Sequence, residues 1–84
     1  MKRVACVDFA QTTINGVPYT LYSYYTGARG YVRIFNMNTL DNKTAFAGGF
    51  GYDKRGAAAS KAFKKFGIEK DENFTDKLRW YSIL

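Results

Sequence analysis

Ala47-Gly48-Gly49-Phe50-Gly51-Tyr52-Asp53-Lys54-Arg55-Gly56-Ala57 divides the chain into two kinds of sequence. Before it come β-branched and aromatic runs punctuated by turn signals; after it comes one stretch with helical spacing. Three glycines within four residues free the backbone to leave a sheet and turn sharply. Asp53 is placed to cap a helix, its carboxylate accepting first-turn N–H groups and facing the positive end of the helix. Such a corner is either a plain strand-to-helix turn or a cradle of backbone N–H groups for an anion. The Gly-Lys-Ser/Thr ending of a Walker loop is absent, and Asp53 takes the place an anion needs, which favours the plain turn.

Upstream, Asn15-Gly16 lies between β-compatible runs and marks a two-residue hairpin, because a type I′ turn requires positive φ at both central positions. Strand one is expected over 3–14 and strand two over 17–26. A turn at Gly27-Ala28-Arg29-Gly30 leads to strand three near 31–39, and Leu40-Asp41-Asn42-Lys43 to strand four near 44–49. These turns pair Ile14 with Val17, Thr26 with Tyr31, and Leu40 with Lys43. Alternation along each strand then sorts the side chains. Val4, Cys6, Ala10, Ile14, Val17, Leu21, Val32, Ile34, Ala45 and Ala47 share one face, which is small and aliphatic. Val7, Phe9, Tyr22, Tyr24, Tyr31, Arg33, Phe35, Met37 and Phe46 share the other, which is aromatic. A β-bulge would break part of this pattern.

Downstream, the helix is expected over 54–66, with Gly67 in the position that ends it. At 100° per residue, Ala59, Ala62, Phe63 and Phe66 form one stripe, and Lys54, Lys61, Lys64 and Lys65 lie opposite. The aliphatic sheet face accommodates the two phenylalanines best, and burying them contributes roughly 2–3 kcal/mol each. Residues 69–73 read as a polar connector. Residues 74–84 fit neither period and form either an edge strand or a last helical turn covering part of the aromatic face. The predicted fold is α+β in one domain, 1–84: an antiparallel four-stranded meander over 1–50, a basic amphipathic helix over 53–67 on one face, and an apolar closing segment over 74–84.

Thirteen Lys and Arg against seven Asp and Glu give a net charge of +6 over 84 residues. Residues 1–67 hold ten basic and three acidic residues, and 68–84 hold three and four. A basic body favours a polyanionic partner, either nucleic acid or an acidic protein surface. The chain has no histidine and one cysteine, so an internal disulfide, histidine acid–base chemistry and the usual zinc sites are excluded. No carboxylate pair on a common element points to catalysis. The expectation is a protein that is not an enzyme and uses no metal or cofactor. No apolar run spans a bilayer and no apolar signal region opens the sequence, so a soluble, intracellular chain without a membrane partner is expected.

Two surfaces are candidates for binding. Tyr22, Tyr24, Tyr31, Arg33 and Phe35 on adjacent strands would make a platform with a cation at its centre. Such platforms stack single-stranded bases or serve as protein hot spots; a core layer under the C-terminal segment and a homodimer contact are the other readings of the same rings. The cations Lys54, Arg55, Lys61, Lys64 and Lys65 are a phosphate-contacting row or a solvated helix face.

Gly51-Tyr52-Asp53-Lys54-Arg55-Gly56-Ala57 is similar to the Gly-x-Ser-Lys-Lys-x-Ala helix start of double-stranded RNA-binding domains. The resemblance implies phosphate contacts from Lys54 and Arg55 across a groove. The first helix of that family has no counterpart, and Ala58 stands where its third lysine falls. Gly49-Phe50-Gly51-Tyr52-Asp53-Lys54-Arg55 followed by alanines also resembles small proteins of phages and mobile elements, anti-CRISPR proteins among them. That resemblance implies a non-catalytic inhibitor, in the cytoplasm of a host bacterium, that docks on a nucleoprotein defence complex of the CRISPR effector type and blocks it sterically. The alternative is a nucleic-acid-binding module using the same residues.

Overall fold

The computed structural model describes residues 5–25, 30–46 and 55–83. The glycine corner over 47–54, with the Asp53 cap and Lys54, lies outside them, as do Val4 and the turn at 26–29. Five strands, β1 (Ala5–Ile14), β2 (Val17–Tyr25), β3 (Gly30–Asn36), β4 (Asn42–Phe46) and β5 (Tyr81–Ser82), form one antiparallel sheet in the order β4-β3-β2-β1-β5. Two helices, α1 (Arg55–Lys65) and α2 (Glu72–Asp76), precede β5. The α+β fold is the one expected, with a fifth strand and a second helix added.

The first hairpin forms as its turn chemistry dictates. Asn15 and Gly16 have φ of 53° and 79°, and Ile14 faces Val17. The other two registers differ from expectation. Tyr31 faces Tyr24 instead of Thr26, and Lys43 faces Ile34 instead of Leu40. Both displacements are even numbers of residues, so the side chains within β3 and β4 keep their expected faces.

Asn36 is the cause of the larger shift. Its Oδ1 accepts from the backbone N–H groups of Asn38 and Thr39 at 2.9 and 3.2 Å. Its own carbonyl accepts from Leu40 at 2.7 Å, and its N–H donates to the Asp41 carbonyl at 2.8 Å. An asparagine folding the backbone back on itself ends β3 at Asn36, not near 39. Met37 therefore leaves the strand for an exposed turn, and β4 begins at Asn42. On β1 the register slips by one between Cys6 and Asp8, so Cys6 faces Tyr24. Alternation counted from the hairpin does not carry Cys6 and Val7 past this bulge.

The core lies between the aliphatic sheet face and α1. Ala10, Ile14, Leu21, Val32, Ile34 and Ala45 meet Ala58, Ala59, Ala62 and Phe63, with Phe63 fully buried. Tyr19, on the same face, sets its ring edge-on to Phe63 and Phe66 at 5.5 and 5.6 Å. Alanines on the helix let it approach the sheet closely enough for Phe63 to fill the gap. Gly67, with φ of 79°, closes α1. Its N–H reaches the Lys64 carbonyl, and the N–H of Ile68 reaches that of Phe63, at 2.9 and 3.0 Å.

Of the two readings for residues 74–84, the edge strand forms, as β5, while most of the segment after Gly67 packs on the helix side of the sheet. Asp71, read in the sequence as part of a connector, caps α2 by accepting from the N–H of Phe74 at 2.8 Å. α2 lies against the first turn of α1, where fully buried Thr75 donates its hydroxyl to the carbonyl of Gly56 at 2.5 Å. Phe74, Leu78 and Trp80 pack on the core from the helix side, and β5 then joins the outer edge of β1.

Candidate binding face of the sheet

Residues directly opposite one another on antiparallel strands share a face. The face away from the helices carries three cross-strand rows. One runs Phe46, Tyr31, Tyr24; the next Thr44, Arg33, Tyr22, Phe9, Tyr81; the third Asn42, Phe35, Thr20, Gln11. Tyr22, Tyr24, Tyr31, Arg33 and Phe35 are thus brought together as the sequence reading has them. None of these five is fully buried. Phe74, Leu78 and Trp80 of the C-terminal segment pack on the helix side, and its Tyr81 meets this face at Phe9, on the β1 edge.

The rings hold one another in place. Tyr24 and Tyr31 stack at 4.8 Å with an 11° interplanar angle, and Phe46 leans on Tyr31 at 5.1 Å. Tyr22 meets Phe35 edge-on at 5.8 Å and Tyr24 at 6.5 Å. Arg33 sits among them, its Cζ 6.0 Å from the centroid of the Tyr24 ring and its Nε donating to Thr44 Oγ1 at 3.0 Å. The hydrogen bond fixes the plane of the guanidinium and leaves its outer N–H groups to a ligand. No carboxylate stands on this face among the described residues. Tyr81, which periodicity does not place, extends the face: it stacks on Phe9 at 5.4 Å and is 48% exposed. Its only advance signal is the apolar character of the tail.

The basic residues divide differently. Lys61 and Lys64 are exposed on α1, on the other side of the sheet from the rings. Lys65 reaches the β4 edge and donates to the Thr44 carbonyl at 2.6 Å. That contact occupies an acceptor on an edge strand, where a pairing strand would bind. Arg55 is turned inward. Its Nη1 lies 2.5 Å from Oδ2 of buried Asp8, and its Cζ stands 4.7 Å from the Trp80 ring. An arginine held this way ties α1 to β1 and to the tail, and its charge is balanced. The structure therefore separates the expected site into an aromatic–arginine face and a lysine row behind it.

A cavity of about 320 Å³ at the junction of α1 with the following loop is lined by Ser60, Lys64, Ile68, Glu69, Lys70 and Asp71. The Ser60 hydroxyl donates to the Lys70 carbonyl there at 2.5 Å, so it serves the loop. Among the described residues no cluster of metal-ligating side chains occurs, and no helix is long and apolar enough to cross a membrane. Comparisons with protein-family models, curated proteins and solved structures return no match to this chain.

Proposed function

We propose that this chain is a small non-catalytic binding protein that docks through the open face of its sheet on a host nucleoprotein complex of the CRISPR effector type and blocks it sterically. The observation that supports this reading is the preformed aromatic face around Arg33. Tyrosine and arginine are the residues in which binding energy concentrates. Rings already fixed by their neighbours lose little freedom on association, so less of the contact energy is offset by ordering. The resemblance to anti-CRISPR proteins supplies the class of partner, and the net charge of +6 suits a complex that exposes nucleic acid. The protein acts where that complex is, in the cytoplasm of a bacterium.

The test is to incubate the purified protein with a panel of guide-loaded effector complexes, scoring co-elution and target cleavage. Wild type is expected to co-elute with a member of the panel and inhibit it. Tyr24→Ala and Arg33→Ala, verified as folded by circular dichroism, are expected to weaken binding by about 30-fold or more, the effect of a 2 kcal/mol hot spot. Inhibition undiminished in both variants, or no complex with any member, would refute the proposal.

A further inference from the structure

Resting on the reading of the sheet face as the docking surface, we infer that what this face takes is single-stranded nucleic acid. Bases stack on Phe46 and Tyr81 at its two edges, and Arg33 receives a phosphate between them. The chemistry on the face is the basis. Most of its ring surface is already occupied by other rings, which makes a rigid platform, and the most exposed rings are the edge residues Phe46 and Tyr81, at 43% and 48%. They lie on β4 and β5, four strand intervals apart across the sheet, or about 19 Å at the usual spacing. That span suits the two or three bases that sheet platforms stack. Planar rings without hydrogen-bonding pockets accept any base, because every base has a π-face.

Charge selects among the remaining occupants. The face holds a guanidinium with outward donors and no carboxylate among the described residues. A second copy docked about a two-fold axis would bring Arg33 towards its own image with nothing to neutralise either charge. A polyanion meets the opposite situation, and the exposed lysines Lys61 and Lys64 behind the sheet add long-range attraction without touching it. A duplex keeps its bases stacked internally and offers none to Phe46 or Tyr81.

The test is fluorescence anisotropy with short labelled oligothymidylate and oligouridylate, against a duplex of equal length, at low and near-physiological salt. Single strands are expected to bind more tightly than duplex at the higher salt. Phe46→Ala and Tyr81→Ala, at exposed positions, should each weaken binding by about 5- to 150-fold, the loss of one stacked base. Arg33→Gln should lower the salt slope by about one unit. Lys61→Glu with Lys64→Glu should weaken both ligands modestly and leave the preference for single strands intact. Equal binding of duplex and single strand, or sensitivity to the lysines but not to the face, would overturn the inference. So would a dimer that Tyr24→Ala dissociates. Effector capture that depends on Tyr24 and Arg33 without oligonucleotide binding would overturn this inference and leave the proposed function standing, with an acidic protein surface as the occupant. Oligonucleotide binding without effector capture would do the reverse.

Discussion

Replacing Gly56 with alanine should destabilise this protein, although the same change in an isolated helix would stabilise it. Alanine is favoured over glycine within a helix by at most about 1 kcal/mol. Here a Cβ at position 56 would lie 2.9 Å from the Cβ of Asp76 and 3.2 Å from its Cα and Oδ1. The first two atoms belong to the stem of a residue on α2, so relief requires the short helix to move. Overpacking of this kind costs about 1–3 kcal/mol. The movement also stretches the buried hydrogen bond from Thr75 to the Gly56 carbonyl, worth about 1 kcal/mol. The net expectation is a loss of about 2 kcal/mol, read in urea unfolding with the slope unchanged, or a fall in Tm of about 8–16 °C. Combining the change with Asp76→Gly removes the nearest atom, and the pair should show a favourable coupling of about 1 kcal/mol. An unfolding midpoint that rises in Gly56→Ala would mean that α2 does not pack on α1 as described. The C-terminal segment would then be at liberty to lie over the rings, and the case for an open binding face would fall with it.

Three other expectations concern the framework of the same face. Asp8→Ala leaves Arg55 partly buried without its carboxylate and should cost about 3 kcal/mol in chemical unfolding; a loss under about 0.5 kcal/mol would show the pair to be incidental. Leu40 holds φ of 64° while 64% exposed, so Leu40→Gly should raise stability by about 0.5–1 kcal/mol by removing left-handed strain, and a lower thermal midpoint would contradict that geometry. Phe63→Ala empties the centre of the core and should cost about 3–5 kcal/mol, against well under 1 kcal/mol for Lys61→Ala on the exposed side of α1; similar losses at both positions would place the core elsewhere.

The composition of the two sheet faces was legible in the sequence because side-chain alternation tolerates one kind of error. Three turns were placed by residue type, and two of the registers moved, yet each moved by an even count, which leaves the faces unchanged. Asn15-Gly16 and Gly67 were readable because each meets a conformational demand, positive φ, that few residues satisfy. The early end of β3 was less legible. Asn36 has a turn-forming side chain but sits within a run of strand formers, and only the four bonds it makes to the following loop decide the outcome.

What the sequence determined by itself, then, was local: where backbone geometry is special, which residues alternate, and which stripe of α1 is apolar. The tertiary structure decided the rest, because it depends on groups far apart in the chain. Arg55 could not be known as a structural residue until folding brought it to Asp8, 47 residues away, and beneath Trp80. Tyr81 joined the binding face only when β5 found the edge of β1. The rings remain open because Gly56 admits α2 to the helix side, giving the tail's apolar residues a place to bury that is not the aromatic face. Periodicity acts over one or two turns of chain, whereas burial and charge pairing are settled by whichever partner lies nearest in space.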